Sequence, residues 1–276
     1  MERSATAGLR CASPKTTISI VKKIMQPKIG RRLFAGMAAI ACFAPLADAA
    51  KTQTVHFDAN KTTINGFLAV PDKPGRYPGL IVVHDWWGLT DWVKQQTVNF
   101  ADQGFVALAV DLYAGKTPAS VDEAAQLSNT LSDDAAVLDL MAGIVYLTNQ
   151  NDVERDHVGA VGWAMGGYYA LRLAMHVPRL GACVDNYGPL PTDPNEAESI
   201  GAPLLGNFGA DDHGVTTADV DAFKKTMKNL NRVVDMKIYD GAGHSFENPN
   251  DKNAYRPDAA QDAWNRSVAF LNKWLK

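Results

Sequence analysis

Val158-Gly159-Ala160-Val161-Gly162-Trp163-Ala164-Met165-Gly166-Gly167-Tyr168-Tyr169-Ala170 is the stretch whose reading decides the fold. Val158 to Val161 is a brief run of small and β-branched residues, which suits a strand. From Met165 onward apolar residues recur at helical spacing: Met165, Tyr168, Tyr169, Ala170, Leu173 and Val177. Between the two runs, Gly162, Gly166 and Gly167 crowd the junction with residues that lack a Cβ. Such a junction permits a strained backbone and a close approach of helix to strand. A strand, one sharp turn and a buried helix are therefore expected, with Ala164 at the tip of the turn. A nucleophile at that tip would have its charge favoured by the helix N-terminus. Alanine has none to offer.

Outward from this junction the chain alternates strand and helix. Upstream, Thr52 to Phe57 and Thr62 to Val70 read as strands joined by a turn at Asp58-Ala59-Asn60. Leu80 to Val83 is a continuous apolar run, as a strand buried on both faces requires. His84-Asp85-Trp86-Trp87-Gly88-Leu89 follows as a loop, then a helix from Asp91 to Gln103 and a strand from Phe105 to Val110. Ser132 is placed to cap a helix running to Asn149, with Asp133 and Asp134 at its positive end and Val137, Met141, Ile144 and Val145 as its core face. Downstream, strands are expected at Leu180–Tyr187, Pro203–Phe208 and Val233–Tyr239. Val220, Phe223 and Met227 mark the face of one helix, and Pro257 opens a last one with Trp264, Val268, Leu271 and Leu275 on its stripe. The expectation is an α/β fold: one mostly parallel twisted sheet with helices on both faces, in a single domain over residues 50–276. Ligands in such sheets bind beyond the carboxyl ends of the strands, in loops that here hold Asp85, Ala164, Asp212 and His244.

Residues 1–49 have a different composition. Arg31-Arg32-Leu33-Phe34 leads into an apolar run ending at Leu46, and Ala47-Asp48-Ala49 is a small-x-small cleavage pattern. This is the layout of a signal peptide of the twin-arginine kind, too short for a membrane span, with Met25 as an alternative start. Cleavage near Ala49 would deliver the rest to the periplasm or outside the cell. The leader carries eight of the 27 Lys and Arg but two of the 30 Asp and Glu, so the remainder is more acidic than the whole chain's −3. An acidic domain without a basic stripe is a poor nucleic-acid binder. Cys11 and Cys42 leave with the leader, and Cys183 alone permits no intramolecular disulfide.

The turn at Gly162-Trp163-Ala164-Met165-Gly166 has the Gly-x-Nu-x-Gly form of a nucleophile elbow, and the order elbow, acid, histidine along the chain is that of α/β-hydrolases. His244, in a Gly-rich loop between the last strand and the last helix, is the candidate general base. Asp212 would hold its tautomer, with Asp211 as the rival acid. The backbone N–H groups of Trp86 and Met165 are candidate donors to an oxyanion. Trp86 and Trp87 read as packing residues by side chain, and Cys183 as a buried small hydrophobe. His84-Asp85 and Asp211-Asp212-His213 lack convergent metal-ligand spacing, so no metal and no cofactor is expected.

Val82-Val83-His84-Asp85-Trp86-Trp87-Gly88-Leu89, Ala109-Val110-Asp111-Leu112-Tyr113, Gly162-Trp163-Ala164-Met165-Gly166-Gly167 and Gly241-Ala242-Gly243-His244-Ser245-Phe246 together resemble the dienelactone hydrolase family, over residues 52 to 275. The resemblance implies an α/β-hydrolase that cleaves esters or lactones with a cysteine nucleophile. By position, the family's cysteine falls on Ala164, its aspartate on Asp212, its histidine on His244, and a glutamate that partners the thiol on Asp85. The arginines that hold a carboxylate substrate fall near Gly115 and Asn248, neither of which clamps an anion. The expected ligand is thus a small neutral or weakly polar ester or lactone. Three functional readings follow from the missing nucleophile: an ester or lactone hydrolase impaired at Ala164, an exported ligand-binding pseudoenzyme using the old pocket, or hydrolysis by His244 and Asp212 acting on water. Nothing in the sequence sets an oligomeric state.

Overall fold

The computed structural model describes residues 49–59 and 62–276. The leader expected over residues 1–49 lies, up to residue 48, outside the described residues, as does Asn60 of the expected first turn.

Eight strands form one sheet in the order β1-β2-β4-β3-β5-β6-β7-β8. They are β1 (Lys51–Ala59), β2 (Thr62–Val70), β3 (Tyr77–Val83), β4 (Val106–Val110), β5 (Val153–Trp163), β6 (Ala182–Asn186), β7 (Leu204–Gly209) and β8 (Val234–Tyr239). The β1–β2 and β2–β4 pairs are antiparallel and every other pair is parallel. The first strand runs on through Asp58 and Ala59, two residues assigned to a turn on composition. Strands β3, β4, β6 and β7 are buried at almost every residue, as expected where helices cover both faces.

The helices are α1 (Asp91–Asp102), α2 (Val121–Thr130), α3 (Asp133–Thr148), α4 (Met165–His176), α5 (Pro194–Ser199), α6 (Thr217–Asn229) and α7 (Pro257–Leu275). Register shows the two covered faces. Gly159 of β5 lies against Leu271 and Leu275 of α7, whereas Ile81, paired with the next residue Ala160, lies against Gly143 of α3 on the other side. Trp264 of α7 packs on Phe100 of α1 at 4.7 Å between ring centroids, so α1 and α7 share a layer. None of the helices among the described residues is long and apolar enough to cross a membrane.

Local chemistry sets the helix ends. Ser132 Oγ accepts from the N–H of Ala135, and Pro257 stands in the first turn of α7. The core face of α3 is Ala136, Val137, Leu140, Gly143 and Leu147, while Val145 is 60% exposed. The helix is apolar nearly all round, so its periodicity alone left the phase open, and Met141 and Ile144 sit at the edge of the buried stripe. The helices α2 and α5 had no strong apolar stripe to announce them, although Ser120 and Asp193 cap them.

Only Ala164 separates the end of β5 from the start of α4. A Cβ on Gly162 would overlap the carbonyl of Gly166, and one on Gly166 would overlap the carbonyls of Val83 and His84. Helix and strand therefore touch backbone to backbone, and the connecting residue must reverse direction in one step. Ala164 does so at φ 51° and ψ −116°, a region strained for any residue bearing a Cβ. Such strain costs about 1–3 kcal/mol, against roughly 0.5–1 kcal/mol for the extra chain freedom glycine loses on folding. Ala164→Gly is expected to raise the unfolding free energy by about 1 kcal/mol in urea titration; unchanged or reduced stability would show that the turn holds no strain.

Candidate active site

The elbow puts Ala164 at the carboxyl end of the sheet. Its N–H donates to the carbonyl of Asn186 at 2.9 Å. Behind it an amide ladder joins three strand ends: Asn186 Nδ2 donates to Gly162 O at 3.2 Å, and Asn207 Nδ2 to Asn186 Oδ1 at 2.8 Å. Met165 N–H opens α4, where no intrahelical acceptor exists. Neither it nor the N–H of Trp86 has an acceptor among the described residues. The side chain of Met165 is held by Tyr113, whose hydroxyl donates to Sδ at 3.2 Å.

His244 stands after β8, and its Nδ1 is 2.7 Å from Asp212 Oδ2. The other Asp212 oxygen accepts from the N–H groups of Gly214 at 2.7 Å and Val215 at 3.2 Å. Burial alone would raise the pKa of Asp212, but the imidazole and these two N–H groups outweigh it and hold the carboxyl below its usual range. An ionised Asp212 accepts only, so Nδ1 carries the proton and Nε2 is left as the base. That nitrogen has no partner among the described residues. Asp211 is exposed and meets Ala242 through its backbone alone. The geometry thus pairs His244 with Asp212 rather than Asp211.

Ala164, Met165, Trp86 and His244 line one cleft of about 490 Å³, together with Ser128, Asp133, Tyr168, Tyr169 and Pro189. Asp85 lines the adjoining cleft, with Ser245 and Asn248. It is buried, its Oδ1 accepts from Trp87 N–H at 2.8 Å, and burial pushes its pKa up to about 6 despite that bond and the nearby His244. Trp86 and Trp87 meet edge to face at 5.6 Å, and each also lines one of the two clefts. Cys183 is fully buried. His84 is buried with both nitrogens engaged: Nδ1 donates to the carbonyl of Asp85 at 2.6 Å and Nε2 accepts from Leu112 N–H at 3.1 Å. Burial lowers its pKa, so it is a neutral strut between two loops. Among the described residues no three His, Cys, Asp or Glu side chains gather as metal ligands do.

Three residues of the site escaped the sequence reading. Tyr187 begins the loop after β6 at φ 47°, and its buried ring meets that of His244 edge to face at 5.2 Å between centroids. Asp133 accepts from the hydroxyls of Tyr168 and Tyr169 on the cleft wall. Glu247 accepts from Trp163 Nε1 at 3.3 Å, tying the histidine loop to the residue before Ala164, while its Oε1 is buried without a partner among the described residues. The rule that sites follow strand ends would have found Tyr187. Asp133 lies on a helix and Glu247 in the histidine loop just past Phe246, and no motif marks either.

The chain matches the model of the dienelactone hydrolase family over residues 64–275. It is 34% identical over 231 residues to "Protein usf" of Aquifex pyrophilus, covering 81% of this chain and 99% of that one. It is 31% identical to a Bradyrhizobium sp. protein named "Probable 2-oxo-3-(5-oxofuran-2-ylidene)propanoate lactonase", covering 81% and 96%. Among solved structures, a dienelactone hydrolase-like promiscuous phosphotriesterase from metagenomic libraries superposes with a TM-score of 0.75 at 25% identity, covering 83% of this chain and all of that one.

Glu247 has a consequence for stability. Burial pushes its pKa up to about 8, above the ordinary 4.5 and despite the Trp163 bond. Between those values the folded chain holds a proton that the unfolded chain has released, so stability is greatest at the acid end and declines as pH rises. Asp85, raised to about 6, acts in the same direction. The melting temperature should therefore fall between about pH 5 and pH 8. Glu247→Gln, which keeps the acceptor for Trp163, should shrink that decline. An unchanged slope in the variant would show that Glu247 is ionised throughout.

Proposed function

The chain belongs to the dienelactone hydrolase family, and from that membership we propose an ester or lactone hydrolase whose covalent route is closed at Ala164. Family and fold support hydrolysis of lactone or ester bonds. The observation that carries the finer reading is the turn at Ala164. It keeps the strained φ of 51° that serves to present a nucleophile, and it presents a methyl group. Around it stand a histidine paired to an ionised aspartate and two N–H groups without an acceptor among the described residues. Such a site can polarise a bound carbonyl through the N–H of Trp86 and Met165 and draw a proton from water through His244 Nε2. It cannot form an acyl-enzyme. In a well-studied serine protease, loss of the nucleophile costs about 10⁶ in turnover, with some 10³-fold over water retained by the oxyanion donors and binding. A second reading, an exported pseudoenzyme that binds such ligands, is favoured by the intact aromatic cleft beside a missing reagent.

Ala164→Cys adds a thiol beside a histidine and a helix N-terminus, both of which favour the thiolate. It is expected to raise hydrolysis of a small activated ester by several orders of magnitude. Ala164→Ser should help less, and adding His244→Ala to the cysteine variant should remove the gain. A parent protein that already turns over at ordinary enzymatic rates, unmoved by Ala164→Cys, would place the chemistry elsewhere.

We further propose that the protein works after export, on the pattern of Arg31-Arg32-Leu33-Phe34 and Ala47-Asp48-Ala49. Protein recovered from its native host should begin near Ala50 on N-terminal sequencing. Finding Met1 or Met25 intact in the soluble cytoplasm would rule export out.

A further inference from the structure

Asp133 stands in the first turn of α3 and lines the same cleft as Ala164 and His244. Tyr168 donates its hydroxyl to Asp133 Oδ2 at 2.7 Å, and Tyr169 donates to Oδ1 at 2.9 Å. A phenol has one hydrogen, and both are directed at the carboxylate. What these three side chains can offer a ligand is therefore acceptors alone: the remaining lone pairs of Asp133 and the two phenol oxygens. The aromatic rings of Trp86, Tyr168 and Tyr169 line the same cleft, and an aromatic face attracts a cation. No Lys or Arg lines the cleft among the described residues. Arg172, on α4, is the cation that acts on Tyr168, and its guanidinium is bound to Glu196 of α5 at 3.1 Å.

We propose that Asp133, Tyr168 and Tyr169 form an ammonium subsite of the candidate active site, so that the ligands preferred here are esters or lactones bearing a protonated amine. An ammonium group has three donors and no acceptor, which is the complement of an acceptor-only wall. A neutral hydroxyl uses part of that wall. A carboxylate meets only lone pairs and a like charge. The assignment rests on the hydrolase reading above and narrows its substrate class. It departs from the arginine-held carboxylate that the family resemblance implies, at positions where this chain has Gly115 and Asn248.

The test uses three methyl esters of matched length: the ester of ε-aminohexanoic acid, methyl heptanoate, and monomethyl pimelate. Binding is measured by calorimetry on the protein with Ala164 in place, so it does not depend on turnover. The ammonium ester is expected to bind about tenfold more tightly than the neutral one, from cation–aromatic and charge attraction together, and the anionic ester most weakly. Asp133→Asn, checked for an unchanged melting curve, should bring the ammonium and neutral esters within about twofold. If the Asp133→Asn substitution unfolds the first turn, Asp133→Ser, which also removes the charge, replaces it, and the same narrowing to within about twofold is expected. Equal binding of ammonium and neutral esters, or a preference that survives Asp133→Asn, would overturn the subsite. Failure of the hydrolase reading looks different: Ala164→Cys would hydrolyse none of the three esters while the binding preference stood.

Discussion

The rest of the structure depends on the contact between the backbone of Gly162 and that of Gly166. Because neither residue carries a Cβ, β5 and α4 close on each other with nothing between their main chains. One residue then has to make the reversal, and its φ must be positive. The same contact sets Ala164 against Asn186, puts Met165, the first residue of α4, on the cleft and seats α4 against β3 and β6. Strain at a single residue persists because packing on every side over-determines it. Stored strain of this kind ordinarily serves a reactive group. Here it is retained around a side chain with no chemistry of its own.

Electrostatics divides the site into two regions. At the histidine, Asp212 is drawn to its ionised form by hydrogen bonds from His244, Gly214 and Val215, all at close range. At the edges of the same loops, Asp85 and Glu247 have too few donors to offset burial, and their pKa values rise. Burial is common to these carboxylates, and the number of N–H groups aimed at each one decides its charge. Asp133, on the same cleft, is oriented by the hydroxyls of Tyr168 and Tyr169.

Much of the fold was legible because its causes are local. Apolar runs mark the buried strands, Ser132 and Pro257 mark helix starts, and glycines mark the turn at Ala164. Misreadings occurred where local cause was weak. The helix α3 is apolar nearly all round, so Val145 looked like core until tertiary packing chose Leu140 and Leu147 instead. Asp58 and Ala59 have turn chemistry, yet pairing with Thr63 and Thr62 keeps them in the strand. Tyr168 and Tyr169 read as one apolar face of a helix, and only the approach of α3 gave their hydroxyls a carboxylate to bind.

The chain's own sequence determined the order of the strands and of every helix but α2 and α5, the sharp turn with alanine at its tip, and a histidine and an acid in the loops that follow strands. Each of these follows from residue size, periodicity or backbone freedom within a few neighbours. The choice of Asp212 over Asp211, the second cleft beside Asp85, the bond from Trp163 to Glu247 and the meeting of Asp133 with two tyrosines were decided only in three dimensions. Those contacts join residues 32 to 84 positions apart, and their geometry depends on how whole layers pack, which no local pattern in a single chain records.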